Sequence, residues 1–192
     1  MMAALFLLLA AGAATAEPVR VERRVLIKEK RWFVSGGFAW LERGDYYLNP
    51  GFALSASYYP TEEGGPEIRV AGFVSRLSAA GDEVFKLTGL MPDSHRPISL
   101  VTAGWRQSLS YGKLAIGSSV LHFDLQGALH GGALVTDRSV APALSASGGA
   151  LMRITARIHA QLDLGLLASY ERRSRASIAV GFLPLLSIGV AL

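Results

Sequence analysis

Cysteine is absent from this sequence of 192 residues. Its absence excludes disulfide bridges, thiol catalysis, thiolate metal sites and the acylated cysteine of a lipoprotein anchor. A domain of this size without disulfides must take its stability from the burial of side chains and from backbone pairing. The chemistry of the chain is therefore limited to its other side chains.

Long apolar runs and nucleotide or metal motifs are scarce as well. Apolar residues make up 51% of the chain, yet residues 176–192 are the one later stretch that approaches the length of a membrane helix without a charge. Pro184 would remove a helix hydrogen bond near the centre of that stretch. No segment has the pattern of a phosphate-binding or calcium-binding loop. The basic residues are scattered without stacking aromatics between them, which excludes nucleic acid as a partner.

The N-terminus has the pattern of an export signal. An apolar run is followed by Ala14-Thr15-Ala16, the small-x-small pattern that a signal peptidase accepts. We predict a signal peptide over residues 1–16 and export of the remainder. Residues 17–30 are strongly charged and are predicted to form a periplasmic segment, which leaves residues 31–192 as one domain.

The mature chain alternates between apolar and polar or small residues. From Met152 to Tyr170, apolar residues occupy one set of alternate positions, and polar residues occupy most of the other set. The length of this run predicts either a turn near Thr155 or a strand that extends past the bilayer. A strand separates two such sets onto two faces, whereas a helix would mix them. Residues 176–192 place large apolar groups opposite small ones, as a narrow barrel requires. Pro184 predicts a bulge or kink there.

Eight strands of this kind are predicted, each about as long as a tilted strand that crosses a bilayer. They cover residues 31–41, 50–60, 66–77, 98–109, 113–128, 139–153, 157–170 and 176–191. Turn signals separate them, including Tyr111-Gly112-Lys113, while residues 78–96 are expected to form a loop with one or two helical turns. The fold class is thus all-β, an eight-stranded antiparallel up-and-down transmembrane β-barrel in a bacterial outer membrane.

Two sets of residues are the candidate functional positions. The polar faces are predicted to form a hydrogen-bonded network across the lumen by Arg106, His122, Asp124, Arg153, Arg157, His159 and Asp163. Aromatic residues near the predicted strand ends suit the lipid–water boundary: Trp32, Trp40, Tyr58, Trp105 and Tyr170. Alternation does not say which face points outward, so a soluble periplasmic barrel with a ligand in an apolar interior stays open.

Three short motifs in fixed order carry a family resemblance. They are Leu90-Met91-Pro92-Asp93-Ser94-His95-Arg96-Pro97, then Tyr111-Gly112-Lys113-Leu114, then Leu121-His122-Phe123-Asp124. This set resembles the outer-membrane β-barrel domain family of myxobacteria and their relatives, over a region from about Phe33 to the C-terminus. The resemblance implies a signal peptide followed by a small barrel. It also implies kinship with proteins of gliding-motility envelope complexes.

The expected function is non-enzymatic, because a hydrogen-bonded network in the lumen accounts for the polar residues and no serine is placed with a matching base. A wide channel is not expected either, because side chains fill the interior of an eight-stranded barrel. We expect a structural or interaction role in the envelope, with outer-membrane lipid around the barrel, envelope proteins at the loops and at residues 17–30, and no cofactor. A lipid-modifying enzyme is the second alternative, with His122 and Asp124 two residues apart on one strand face and with His130 and His159 nearby. A metal site of His122, Asp124 and His159 is a further alternative. We favour the structural network, because spacing cannot show catalytic geometry.

Overall fold

The computed structural model describes residues 26–90, 95–116, 119–171 and 177–192. The predicted signal peptide and residues 17–25 lie outside these ranges. The strands are β1 Arg31–Leu41, β2 Tyr47–Tyr59, β3 Gly64–Phe73, β4 Arg76–Leu77, β5 Pro97–Ile116, β6 Ser119–Thr136, β7 Val140–Arg153, β8 Ile158–Tyr170 and β9 Ile178–Ala191, and the helix α1 is Ala79–Thr88.

Eight of the nine strands close into a ring in which every neighbour is antiparallel. Consecutive long strands pair with each other, and β1 also pairs with β9, while the two-residue β4 pairs only with the start of β2. Following the registers once around the ring leads from Trp32 to Glu42, ten residues further along the chain (42 minus 32). Such a displacement is the stagger that tilts the strands of a narrow barrel. The predicted fold class is confirmed.

The two ends of the barrel differ in their connections. The N-terminal side of β1, the C-terminus and the turns after β2 and β7 lie at one end, which we call the terminal end. The connections after β1, β3, β6 and β8 lie at the other end, which we call the loop end. The turn expected near Thr155 is present, because residues 154–157 join β7 to β8 and the Thr155 hydroxyl accepts a hydrogen bond from the Ile158 N–H (3.0 Å).

The hairpin of β5 and β6 is longer than predicted. The turn expected at residues 111–113 is wrong, because Tyr111 pairs with Asp124 and Lys113 with His122 inside the hairpin. Strand β6 therefore covers residues 119–136 and not 113–128. Gly112 marks a close approach, since a Cβ atom there would lie 2.3 Å from the ring of Phe123.

Pro184 does not produce the expected bulge. It pairs with Leu164 in a continuous β8–β9 register. On its other side, the pairing with β1 stops at Leu185 and resumes only at the bridge between Glu42 and Phe182. The proline, which has no N–H to donate, thus lies in a gap of the ladder. The irregularities of the β5–β6 register are elsewhere, at Pro97/Ser99 and Ser108/Ser110.

Helix α1 lies in the long connection between β3 and β5, where a short helical stretch was expected. The Ser78 hydroxyl caps it by accepting a hydrogen bond from the Gly81 N–H (3.2 Å), and Gly89 ends it in the left-handed conformation at φ 68°. Within the ranges given above, the chain forms no helix with the length and hydropathy needed to cross a bilayer.

Candidate functional site

The outward face of the barrel is a continuous apolar belt. Leu164 exposes 52% of its surface and Leu129 exposes 69%, although both lie within strands. The belt includes Phe52, Leu54, Ile68, Val101, Leu129, Leu144, Leu164, Leu166, Val180 and Ile188. A soluble barrel points such residues inward, so the structure contradicts the soluble ligand-binding alternative. An apolar exterior around a polar interior is the arrangement of an outer-membrane β-barrel, as predicted.

The five aromatic residues expected at the lipid–water boundary all point outward, in two groups. Trp32, Tyr58 and Trp105 lie towards the terminal end, and the rings of Trp32 and Tyr58 are 5.1 Å apart. Trp40 and Tyr170 lie at the loop end of β1 and β8. Aromatic girdles at both edges of the apolar band are typical of membrane barrels.

Four buried charges form the centre of the lumen. The Arg106 guanidinium donates to Glu67 (Nε to Oε2, 2.6 Å) and to Asp163 (Nη2 to Oδ2, 2.8 Å). Arg69 donates to the same two carboxylates, at 3.1 Å to Glu67 and 3.0 Å to Asp163. All four side chains are almost fully buried. Two cations and two anions thus neutralise each other, which offsets part of the cost of taking them out of water. We call these four residues the central network.

Further polar side chains complete the hydrogen bonds of the central network. His130 Nε2 lies 3.1 Å from a Glu67 oxygen, and Gln161 donates to Asp163 at 2.7 Å. The Gln126 carbonyl accepts a further bond from Arg106 at 3.2 Å. The charged groups are therefore held by several partners each, which favours one rigid arrangement.

An inward-facing glycine makes room for this network. A Cβ atom at Gly149 would lie 2.4 Å from Asp163 Oδ1 and 2.1 Å from the backbone oxygen of Leu162. Such distances are shorter than any tolerated contact, so a larger residue at Gly149 would displace the carboxylate or the strand. Part of the high glycine content therefore serves the interior of a narrow barrel.

Of the seven residues predicted for the lumen, Arg106, Asp124, His159 and Asp163 are buried in it. His122, Arg153 and Arg157 are not, and the prediction for these three is wrong. His122 lies on the long hairpin, where its Nδ1 is 2.6 Å from the Tyr111 hydroxyl. Arg153 ends β7, where its Nε donates to the Thr155 backbone oxygen (2.9 Å), and Arg157 is exposed in the following turn. Alternation past the end of the closed ring, as at His122, or at the end of a strand, as at Arg153 and Arg157, no longer distinguishes lumen from surface.

Residues 26–28 close the terminal end, although residues 17–30 were predicted to form a charged periplasmic segment. Leu26 is buried against Phe33 and Tyr59, and Lys28 is 2% exposed. The Glu62 carboxylate accepts a hydrogen bond from the Lys28 backbone N–H (2.9 Å). The last part of the charged segment is therefore a plug that belongs to the barrel.

The Lys28 ammonium is the third buried cation of the lumen. It forms a short ion pair with Asp124 and donates to the Ser108 hydroxyl at 2.9 Å, while Ser108 also donates to Asp124. Lys28 and Ser108 both bond to the Asp124 carboxylate, so the group is a buried ion pair joined by a hydrogen-bonded serine.

An apolar layer and an ion cluster fill the loop end of the lumen. The layer lies between the central network and the loops and includes Ala39, Leu41, Leu100, Leu134, Leu167 and Leu183. Beyond it, Arg43 donates to Glu171 (2.5 Å), to Asp45 (2.6 Å) and to the backbone oxygen of His95 (2.9 Å). Arg43 thus joins three loop-end connections over the lumen.

The candidate catalytic histidines have separate environments. His122 bonds to Tyr111, His130 bonds to Glu67, and the His159 ring lies 5.1 Å from that of Phe33. Across residues 26–90, 95–116, 119–171 and 177–192, no three His, Asp or Glu side chains are grouped to hold a metal ion. The metal site proposed for His122, Asp124 and His159 is therefore not assembled.

Solved structures similar to this chain are small barrels of low sequence identity. The attachment invasion locus protein Ail of Yersinia pestis is 15% identical, with 85% of this chain and 99% of that chain covered and a TM-score of 0.44. The N-terminal β-barrel domain of Pseudomonas aeruginosa OprF is 9% identical, with 85% and 98% covered and a TM-score of 0.47. Neisserial surface protein A is 10% identical, with 84% and 95% covered and a TM-score of 0.44.

No protein-family model matches the chain, and no curated protein matches it. The assignment of the fold therefore depends on the strand pairing and on the orientation of the side chains in this chain itself.

Proposed function

We propose that the chain is a small outer-membrane barrel without an open channel, with a structural or protein-interaction role in the cell envelope. The observation that carries the proposal is the filled lumen. The plug of residues 26–28, the central network and the apolar layer follow one another from the terminal end to the loop end. A barrel that encloses packed side chains presents its loops and its outer surface, and not a pore, to other molecules.

Contact with other envelope proteins is assigned to the loop-end connections and to residues 17–30. At the loop end, Arg43 holds Asp45, Glu171 and the backbone of His95 together. Residues 26–30, the described part of the second surface, are tied to the terminal end of the barrel through Lys28. A place in a motility complex is the finer form of the proposal and depends on the family resemblance alone.

The filled lumen and the structural role in the envelope each lead to a prediction. Purified, folded protein in planar bilayers should give no conductance steps in concentrated salt, because charged and apolar layers block the lumen. Cells that lack the protein should take up small solutes at the parental rate, but should become more sensitive to detergent, since an envelope component is missing. The wild-type gene should restore detergent resistance.

A large porin in the same bilayers is the positive control. Reproducible steps of uniform size from the barrel, or slower solute uptake by the deletion strain, would instead assign it a transport role. Unchanged detergent sensitivity would argue against a role in envelope structure.

A further inference from the structure

The outward face of β6, β7 and β8 contains a groove. Residues with small side chains form its floor, and larger apolar residues form its walls. The floor includes Gly127, Gly131, Ala146 and Gly148, and the walls include Trp105, Leu129, Leu164 and Leu166. The terminal-end part of the groove has a volume of about 540 Å³, which is within the range of pockets that hold small ligands.

The groove runs across most of the height of the belt. It consists of three adjoining depressions, of which the first and second share Leu129 and Leu166, and the second and third share Leu144. Together they lead from Trp105, towards the terminal end, to Tyr170 at the loop end. The groove therefore follows the strands from one membrane boundary towards the other, which is the direction of the lipid chains around the barrel.

The packing of the barrel does not require glycine in this floor. The nearest heavy atom to a Cβ atom at Gly148 would be the Gln126 backbone oxygen, at 4.0 Å, and a Cβ atom at Gly127 would lie 3.5 Å from Leu109 Cδ1. Both distances are ordinary van der Waals contacts, unlike the 2.1 Å approach at the lumen-facing Gly149. Among the described residues, then, no contact explains why these two positions are glycine, and the space they leave is open to an external occupant.

A second copy of the chain fits this groove poorly, whereas a hydrocarbon chain fits it well. Two copies related by a two-fold axis present the same surface to each other, so groove would face groove and enclose a void. The atoms that line a void lose their dispersion contacts. A flexible acyl chain can instead follow the floor, and the belt on both sides of the groove is covered by lipid.

We propose that the terminal-end part of the groove binds one acyl chain of a phospholipid, which lies over the glycine floor between Trp105 and Leu164. Trp105 Nε1 donates to Gln107 Oε1 (3.0 Å), and this polar pair lies where the groove meets the lipid–water boundary. The chain runs from this pair towards Leu166, so the phospholipid belongs to the leaflet at the terminal end. The site requires lipid around the belt and is independent of the role proposed above for the loops.

Quenching of Trp105 fluorescence tests the proposal. Trp32→Phe and Trp40→Phe leave Trp105 as the only tryptophan of the chain, and this folded parent protein is held in micelles of a rigid steroid detergent. Phosphatidylethanolamine with one brominated acyl chain is added at increasing mole fraction. A bound chain should quench Trp105 in a saturable way at low mole fraction. Gly148→Leu and Gly127→Leu fill the floor and should each raise the mole fraction for half-maximal quenching several-fold.

Gly72→Leu is the matched control. Gly72 also faces outward, with nothing in the described part of the chain within 4 Å of its Cβ position, but it lies on β3, away from the groove. Leucine there should leave the quenching unchanged. A change of gel mobility on heating shows for each variant that the barrel is folded.

The other outcomes would overturn the proposal in different ways. Quenching of the parent that rises in proportion to mole fraction, or that Gly148→Leu leaves unchanged, would show contact with lipid but no site. Quenching that disappears as the protein associates at higher concentration would show that a second copy covers the groove. Stronger quenching by brominated lipid A would assign the groove to the opposite leaflet. If brominated lipid quenches Trp105 at no mole fraction, the belt is not in contact with lipid, and the membrane placement itself fails.

Discussion

Replacing Arg106 with methionine is expected to lower the free energy of unfolding of the barrel by about 3–5 kcal/mol, or to prevent folding. Methionine has a similar length but no charge, so Glu67 and Asp163 would share Arg69 as their only cation in the central network. An uncompensated carboxylate would then remain buried at the centre of the lumen. The measurement is urea unfolding in lipid vesicles, followed by tryptophan fluorescence.

A matched control and a compensating variant give this prediction its specificity. Arg157→Met removes the same charge from an exposed turn and should change stability by no more than about 0.5 kcal/mol. The double variant Arg106→Met/Glu67→Gln leaves Arg69 opposite Asp163 at 3.0 Å and should recover part of the loss. Equal stability of Arg106→Met and wild type, or no recovery in the double variant, would contradict a buried network of paired charges.

Replacing Leu164 with arginine is expected to destabilise the barrel by about 2–4 kcal/mol, or to block its insertion. Leu164 is at the middle of β8, its side chain points outward, and it pairs with Pro184 in the same belt. A charge there would have to leave water for the interior of the bilayer. The yield of folded protein in vesicles and the midpoint of its urea unfolding measure the effect.

Ala156→Arg is the control for the position of the charge. Ala156 is exposed in the turn between β7 and β8, at the terminal end of the same strand. Arginine there should remain in water and leave folding and insertion unchanged. If Leu164→Arg were as stable as Ala156→Arg, the outward face of β8 would not be in contact with lipid.

The fold could be predicted because alternation is strong where a strand has lipid on one side and a packed lumen on the other. In β8 and β9 large apolar residues occupy almost every second position, so strand identity and orientation follow from the period of two. The β5–β6 hairpin could not be placed in the same way. Its residues beyond Ser108 extend past the ring, and Gly112 there resembles a turn residue although it accommodates Phe123.

The central network could be predicted only in part. Arg106 and Asp163 stood out as charges on polar strand faces, but their partners Glu67 and Arg69 were overlooked. The sequence does contain a pattern that indicates these two partners. Glu67 and Arg69 alternate with the apolar Ile68 and carry opposite charges on one face of β3. Positions facing each other across a closed lumen are distant in sequence, so pairing could not be read from spacing.

No pattern in the sequence indicates that Lys28 is buried. It belongs to a run of charged residues before the first strand, and such a run is typical of a solvated segment. Its burial depends on Asp124, which lies 96 residues away and needs a third cation once Arg69 and Arg106 are paired within the central network. Only the closed barrel brings the two together.

The most direct test of the account is the gel mobility of the protein extracted from the outer-membrane fraction, with and without boiling. A closed barrel that is embedded in lipid should fractionate with the outer membrane, resist unfolding by cold detergent and change its mobility after heating. Release into the soluble periplasmic extract, with the same mobility before and after boiling, would contradict the assignment of the apolar belt to lipid.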